Sequence, residues 1–535
     1  MSLRPSIGAL RLVFLVSLFF VLSGNQAFWH KVLTFFEPQR WQEWAMLGSM
    51  LLVTTTLLTL LLSLFAWPRL LKPVLITLLL LHAGAAYFMN SYGIYIDRDM
   101  VQNVFETNPA EAFELFNLKL LAYLLGLGVL PAALLWRTEI RYARLPRALL
   151  QRPGMVLLSL GVIGANAAVF YDDYVSWGRE QKETRRLFTP LNVLYATGDY
   201  INRSWFRKPS VLEPVGLDAK RQTAKADKPL LLVVVVGETA RAANFGLNGY
   251  SRDTTPQLRQ LDVINFPQAS SCGTATATSV PCMFSPMSRE EYKSSQHKES
   301  LLDVVQRAGV PVLWRDNNSG CKGACDRVPY EDLSNAKDPQ LCQGNECYDE
   351  ILLKGLAERL QRQPGNLLLV LHQKGSHGPA YYLRYPQAFE QFKPVCRTNK
   401  LQECDRQSIV NAYDNTLLYT DHFLASTIRL LQQQSGYRSA LWYMSDHGES
   451  LGENNLYLHG APYAFAPETQ THIPMVQWIS PQFAASTGLN VDCLRQQAQQ
   501  PISHDNLFHS VLGILDIQTQ VYQPGLDLFR RCRGG

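Results

Sequence analysis

The first 271 residues of this 535-residue chain contain no cysteine; all ten lie beyond them. That absence excludes disulfides and thiolate metal sites from the N-terminal half. Net charge is also scarce. Fifty Lys and Arg against 45 Asp and Glu leave +5, too mild a balance to argue for a nucleic-acid partner. Two stretches, about 24–45 and 90–118, are poor in lysine and arginine. No A-x-A-like cleavage site follows the first apolar run.

What fills the cysteine-free half is apolar sequence. Five runs fall at about 11–23, 46–66, 73–89, 119–136 and 155–171. Four are long enough, or nearly so, to cross a bilayer as helices. The first is shorter, follows Arg4 and Arg11, and has the form of a signal-peptide core. The four later runs and the missing cleavage site favour an uncleaved first span. The loop at 137–152 carries Arg137, Arg141, Arg144, Arg147 and Arg152 against Glu139, and the turn between runs two and three carries Arg69 and Lys72. The segment 90–118 is acidic instead, with Asp97, Asp99, Glu106, Glu111 and Glu114. The bias of basic loops toward the cytoplasm places the N-terminus there. Five crossings then put everything after residue 171 in the periplasm or outside the cell. Tryptophans near the span ends suit interfacial anchoring.

The cysteines agree with export. They read as close pairs: Cys272 with Cys282, Cys321 with Cys325, Cys342 with Cys347, and Cys396 with Cys404. Cys493 and Cys532 remain. An even count in an exported domain implies a disulfide framework. "CKGAC" and "CQGNEC" also have zinc-ligand spacing, but export favours disulfides.

Residues 1–171 thus read as a five-span membrane domain. Residues 172–210 mix aromatics and basic groups, as short helices on a membrane surface do, and 211–229 reads as a polar linker. From 230 the texture changes to strands alternating with helices. Apolar strands are expected at 230–236, 310–314, 366–371, 439–445 and 473–479, and helices at about 299–309, 348–363 and 407–433. This alternation predicts an α/β domain over 230–535 with a largely parallel sheet.

Three of these strands run into polar clusters: "GETAR" with Glu238, "HQKGSHGP" with His372 and His377, and "DHGES" with Asp446 and His447. Ligand sites of open α/β sheets lie at the carboxyl ends of strands. A lone Glu238 would suit helix capping. Asp446 and His447 followed by Gly448, where the chain can turn sharply, form a better signal. Carboxylate oxygen and imidazole nitrogen are zinc ligands, so Glu238, Asp446 and His447 would make three and leave one position open. The stretch "SSCGTATATSVPCMF", 270–284, staples four hydroxyls between Cys272 and Cys282. Threonine is a weak nucleophile that a metal can activate, and a stapled loop would hold it in place. Spacing does not choose among Thr274, Thr276, Thr278 and Ser279. His372 reads equally as a structural residue. His504 and Asp505, ahead of "NLFHSVLGIL", read as capping residues.

Taken together, "VVGETARAANFGLNGY", "SCGTATATSVPCMFS", "DNNSGCKGAC", "GSHGPAYYLRYP", "MSDHGESLGENNLYLHGAPYAFAP" and "ISHDNLFHS" resemble the lipid A phosphoethanolamine transferases. These are inner-membrane enzymes of Gram-negative bacteria related to mobile colistin-resistance proteins. The resemblance covers nearly the whole chain and implies a catalytic domain of alkaline phosphatase/sulfatase type. It implies Thr276 as nucleophile and Glu238, Thr276, Asp446 and His447 as zinc ligands. It further implies His377 and His459 at a second zinc or the substrate phosphate, and Ser319 and Lys322 near that phosphate. In "NVFETNPAE", Asn103, Thr107 and Glu111 match a pattern implicated in binding the ethanolamine head group; if helical, they stack one above another.

The resemblance implies transfer of phosphoethanolamine from phosphatidylethanolamine to a lipid A phosphate through a covalent threonine intermediate. The implied partners are the donor lipid, lipid A and the bilayer, with the protein expected as a monomer. The expected consequence is weaker attraction of polymyxins. A core sugar of lipopolysaccharide or a periplasmic glucan is the alternative acceptor. Among rivals, a sulfatase needs C/S-x-P-x-R, and "SVPCM" places Met283 where Arg should stand. A phosphoglycerol transferase would not be expected to carry this disulfide set. A non-catalytic lipid sensor should have lost ligands that are all present here.

Overall fold

The computed structural model describes residues 5–533 except 37, 108, 172, 175–176, 178–183, 185, 203–211, 223–227, 294–295, 345 and 363–364. The chain divides into two units. One comprises Met1–Val101 and Phe116–Ile201, and the other Gln102–Leu115 and Asn202–Gly535.

In the first unit the apolar runs are helical. Trp41–Ser63, Leu71–Tyr92, Leu118–Arg137 and Leu150–Val169 are each long and apolar enough to cross a membrane. The first run is the shorter helix Ala9–Leu22, followed by Gln26–Phe36 at a 66° bend, so it reaches spanning length only as a bent pair. The bend has a cause in the sequence. Gly24 adopts φ 78°, and a Cβ there would stand 2.6 Å from His82 Nε2. Asn25 then donates from Nδ2 to the carbonyls of Phe20 and Thr189, at 2.7 and 2.8 Å, and so satisfies a helix end left open.

The second unit is built on an eight-stranded sheet. Its strands are β1 (Leu230–Gly237), β2 (Val263–Ser270), β3 (Val312–Asp316), β4 (Tyr330–Asp332), β5 (Leu367–His372), β6 (Arg438–Ser445), β7 (His472–Ile479) and β8 (Ile502–Ser503). They lie in the order β8-β2-β7-β6-β1-β5-β3-β4. All neighbours run parallel except that β7 opposes both β6 and β2. The central strand β1 is buried on both faces. Leu232, Val234 and Val236 pack with Trp314 and Trp442 in one layer, and Leu231, Val233 and Val235 with Phe423, Leu424 and Ile428 in the other. An unbroken apolar run is what a strand covered on both sides needs.

Sequence and structure part at particular residues. β2 has polar and proline positions, and its register with β7 shifts where Pro267 and Gln268 face Pro474. The helix expected at 348–363 is a 3-10 turn, Asp349–Leu353, and a helix, Leu356–Arg362, separated by Gly355 at φ 69°. The helix Arg406–Gln433 is capped by Asp405, whose side chain accepts from Ser408 N. Within the expected linker, Lys220–Arg221 pairs with Ile517–Gln518, and Val215 and Ala219 join the core.

All ten cysteines are paired with the expected neighbours. Cys272 bonds to Cys282, Cys321 to Cys325 and Cys342 to Cys347. Cys396 bonds to Cys404, and the two remaining cysteines, Cys493 and Cys532, bond to each other. The zinc-ligand alternative for "CKGAC" and "CQGNEC" is thereby overturned. The sulfurs of Cys321 and Cys325, and of Cys342 and Cys347, are spent on one another.

Gln102–Leu115 belongs to this second unit. Glu114 pairs with Arg384, which also holds Glu346 at 2.5 Å, and Glu106 lies 3.7 Å from Lys322. The helix Arg98–Glu106 ends before Pro109 starts the short helix Pro109–Glu114. Asn103 and Glu111 therefore lie on separate helices. Thr107 still follows Asn103 by one helical turn: its N and Oγ1 both donate to the Asn103 carbonyl, at 2.8 and 2.6 Å. The side chain of Glu111 lies outside the described residues.

Candidate active site

The carboxyl ends of β1 and β6 are adjacent, since Ser445 pairs with Gly237. Glu238 and Asp446 therefore leave the sheet side by side. Gly448 lets the chain turn where any Cβ would meet the Thr469 carbonyl at 2.1 Å. The loop after β2 closes the site from the other side. Gly273 passes so near Ser279 that a Cβ would lie 3.0 Å from its nitrogen. Thr276 then opens the helix Thr276–Met283.

The four hydroxyls that spacing leaves open differ in their surroundings. Thr274 Oγ1 donates to the Ala461 carbonyl at 2.6 Å, and Ser279 Oγ to the Asp446 carbonyl at 2.5 Å. Thr276 Oγ1 lies 3.0 Å from Glu238 Oε2 and 3.3 Å from His447 Nε2. Among the described residues, no such contact is made by Thr278.

Glu238, Asp446 and His447 are buried, and their ligand atoms lie within 4.8 Å of one another. His447 Nδ1 donates to the Gly448 carbonyl at 2.9 Å, which leaves the Nε2 lone pair facing the carboxylates. Asp446 Oδ1 accepts from Thr239 N at 3.1 Å and His447 N at 2.7 Å. Its other oxygen, Oδ2, is buried without a hydrogen-bond partner among the described residues. Burial and the charge of Glu238 push the Asp446 carboxyl up to about 7. Burial also opposes ionisation of Glu238, but His447, His377 and His459 outweigh it and hold that carboxyl low. Burial disfavours a charged His447, yet Asp446 and Glu238 together raise it. Two carboxylates, one of them with a buried oxygen free of hydrogen bonds, and an imidazole lone pair this close together fit a divalent cation. Zinc suits this mixed oxygen and nitrogen donor set.

The surrounding residues fix this geometry. Asn318 Nδ2 donates to Glu238 Oε2 at 2.7 Å and to the Gln373 carbonyl at 2.9 Å. Thr239, at φ 60°, donates its hydroxyl to Glu238 Oε1. The His459 ring lies tilted 4.3 Å from His447 and edge-on 5.9 Å from His377, centroid to centroid. Its Nδ1 lies 2.8 Å from Glu449 Oε2, and Tyr381 donates to the other oxygen of Glu449 at 2.5 Å. Lys322 takes φ 53° and donates to the Ser319 carbonyl at 3.0 Å, in the loop that also carries Asn318.

The chain resembles characterised proteins over its full length. A family model described as "Phosphoethanolamine transferase EptA/EptB" matches residues 54–205, and one described as "Sulfatase" matches 231–517. Phosphoethanolamine transferase EptA of Escherichia coli K12 is 41% identical over 99% of this chain and 98% of its own. The chain belongs to the phosphoethanolamine transferase family. Phosphatidylethanolamine transferase Mcr-1 of Escherichia coli is 40% identical over 88% of this chain and 87% of its own. The integral membrane protein lipooligosaccharide phosphoethanolamine transferase A (EptA) from Neisseria meningitidis superposes with a TM-score of 0.96. It has 39% identity and covers 99% of this chain and 100% of its own.

In this phosphoethanolamine transferase the sequence-predicted residues Glu238, Thr276, Asp446 and His447 converge, with His377 and His459 beside them. His372 is not among the converging ligands: its Nδ1 lies 2.9 Å from Asp316 Oδ2, a fully buried pair, and its Nε2 lies 3.3 Å from Asn318 Nδ2, which holds Glu238. The capping role expected for His504 is overturned, because the helix Asp505–Ile514 has no side-chain cap there. His504 Nδ1 accepts from Cys272 N at 3.0 Å, and Nε2 donates to the Ser445 carbonyl at 2.9 Å. It ties the threonine loop to the end of β6. Asp505 likewise accepts from Arg289 N at 2.9 Å. Sequence reasoning does not single out Asn318, Glu449 or Thr239. Each lies within a motif quoted above, but only the fold turns these side chains toward the ligands.

Proposed function

We propose that this chain transfers phosphoethanolamine from phosphatidylethanolamine to a phosphate of lipid A, in two steps through Thr276. Support comes from one observation above all. The Thr276 hydroxyl reaches Glu238 and His447 within a buried trio suited to a metal, in a chain of this family. Glu238, Asp446, His447 and Thr276 would hold zinc. Bound there, zinc supplies a Lewis acid that favours the deprotonated hydroxyl.

The chain's own groups then account for the rest. Asn318 and Thr239 orient Glu238 so that Thr276 donates to it at 3.0 Å, giving the hydroxyl proton a path away. The Thr276 oxygen attacks phosphorus. The bond from phosphorus to the diacylglycerol oxygen breaks, and that oxygen takes up a proton and stays with the bilayer. His377 and His459 face the phosphate oxygens of the phosphothreonine, with Ser319 and Lys322 at the same anion. A lipid A phosphate oxygen attacks next, the bond to Thr276 breaks, and Thr276 regains its proton. Asn103, Thr107 and Glu111 receive the donor's ammonium and head group.

The same reading makes the membrane domain five spans, counting the bent pair once, with a cytoplasmic N-terminus and a periplasmic catalytic domain acting as a monomer. Residues 172–229 connect the two domains, and 230–535 carry the chemistry. An added ammonium offsets anionic phosphate and weakens the attraction of polymyxins, including colistin. The Neisseria relative is described as acting on lipooligosaccharide, which favours the lipid A acceptor over a glucan. The test is mass spectrometry of lipid A from a Gram-negative host with this chain, with Thr276→Ala, or with neither. Lipid A gains phosphoethanolamine only with the unaltered chain. Unmodified lipid A beside a modified core sugar or glucan would replace the acceptor.

A further inference from the structure

A basic cleft of about 290 Å³ lies in the membrane unit. Arg69, Lys72 and Arg137 line it, together with Thr138, Glu139 and Tyr142. It joins two ends of the helical bundle. Arg69 sits in the turn that ends Trp41–Ser63 and starts Leu71–Tyr92, and Arg137 closes Leu118–Arg137. Lys72 Nζ donates to the Trp136 carbonyl at 3.0 Å, which places these ends at one level. Two runs that cross in opposite directions must have these ends on the same side. The charge bias of the loops makes that side cytoplasmic.

The three cations are not employed alike. Arg152, from a neighbouring helix, donates to the Ala66 carbonyl at 2.8 Å and stacks 3.7 Å over Trp67. It braces the turn that carries Arg69. Arg69 itself is held at φ 71°, a conformation that side chains rarely adopt. Neither the Arg69 nor the Arg137 side chain makes a hydrogen bond or ion pair among the described residues. Among the described residues that line the cleft, Glu139 is the only carboxylate, against three cations. Its backbone is fixed by the parallel pairing of Ser6–Gly8 with Glu139–Arg141.

We propose that this cleft binds the head-group phosphate of a net-anionic phospholipid in the cytoplasmic leaflet. Basic pockets at the ends of membrane helices take such head groups. Arg137 and Arg69 supply planar donors to phosphate oxygens, and Lys72 adds a point charge. The surplus of cations over Glu139 selects an anionic lipid over a zwitterionic one. Glu139 and Thr138 stand where hydroxyls of a glycerol head group would be met. The cleft lies in the membrane unit, and its place in the cytoplasmic leaflet rests on the orientation proposed above.

The test uses the full-length protein in detergent, with lipid retention read by native mass spectrometry. The probes are phosphatidylglycerol, phosphatidylethanolamine and inorganic phosphate. Phosphatidylglycerol is retained in preference to the other two. Arg137→Gln weakens it about fivefold, and Arg69→Gln combined with Arg137→Gln about 25-fold, the scale of one cation at a lipid surface taken once and twice. Arg137→Lys keeps most of the binding and guards against loss through misfolding. Arg144→Gln, an exposed cation of the same loop that does not line the cleft, leaves retention unchanged. Equal retention of both lipids overturns the proposal, as does an equal loss in Arg144→Gln, which marks diffuse attraction. Retention of inorganic phosphate as strong as that of the lipid replaces the lipid with a free anion.

Discussion

Thr276 Oγ1 donates to Glu238 Oε2 at 3.0 Å across 38 residues of sequence. The contact joins a helix start to a strand end, so it measures how well the stapled loop is placed. Removing the hydroxyl tests it with little structural cost, because alanine is well tolerated in a helix. Thr276→Ala loses transfer by about three orders of magnitude or more, with an unchanged unfolding midpoint. Substantial activity in the purified variant would move the role to another hydroxyl.

The metal reading rests on Asp446 Oδ2, buried without a hydrogen bond among the described residues, beside Glu238 and His447. Chelation abolishes transfer and zinc restores it. Added zinc also raises the unfolding midpoint of the stripped protein, and this rise is absent when Asp446 and His447 are both alanine. An active preparation free of zinc by elemental analysis contradicts the assignment.

His504 gives a pH signature. Burial, with the nearby charge of His447, lowers its pKa to about 4 despite the hydrogen bond to Ser445. It is neutral in the fold, while the unfolded chain takes up a proton near pH 6.5. Its contribution is therefore fully present above about pH 6.5 and is lost as pH falls through about 4. The slope inside that window is about 1.4 kcal/mol per pH unit. His504→Gln is less stable than the unaltered chain at pH 7, and the gap closes toward pH 4. A gap of constant size across that range would show that the histidine does not titrate there.

The Cys272–Cys282 bond encloses the threonine loop. Replacing both by serine costs about 2–3 kcal/mol of stability. It costs about a hundredfold in transfer, because a displacement near 1 Å is that expensive to a reaction geometry. The comparison needs the unfolding midpoint and the turnover rate of one preparation. A rate that falls only in step with the folded fraction would reduce the bond to a general staple.

Arg384 serves two carboxylates, Glu114 and Glu346, from a buried position. Arg384→Gln strands Glu114 and leaves Glu346 to Lys374 alone, 3.1 Å away, and costs about 3–5 kcal/mol. Glu114→Gln costs less, since Glu346 still pairs the guanidinium. Unfolding midpoints in this order support the ion pair as the tie between Gln102–Leu115 and the catalytic unit, and the reverse order speaks against it.

Much of this molecule is readable in one dimension. β1 and β5 announce themselves because strands covered on both faces must be continuously apolar. Glu238 alone reads as a helix cap; it stands out only with Asp446 and His447, because several strand ends then carry metal-competent side chains at one edge. The neighbour disulfides, such as Cys321–Cys325 and Cys396–Cys404, follow from spacing and export together. β2 escapes such a reading because Asn265, Pro267 and Gln268 interrupt it, and its partner β7 supplies the order that its own sequence lacks. Asn318 and His504 are unreadable as site residues for a related reason. An asparagine or a histidine in a loop has many ordinary uses, and its direction is set by strands more than 50 residues away. The condition attached to Asn103, Thr107 and Glu111, that they be helical, holds from Asn103 to Thr107 and lapses before Glu111, which lies on the next helix.

The mechanism turns on a phosphoethanolamine group carried covalently by Thr276. Rapid quenching of the purified enzyme with phosphatidylethanolamine and no acceptor, followed by peptide mass spectrometry, would capture that group. One adduct is expected, on the peptide holding Thr276, and it disappears when lipid A is added. An adduct on Thr274 or Thr278, or transfer to lipid A with no adduct at any time, would refute the two-step scheme.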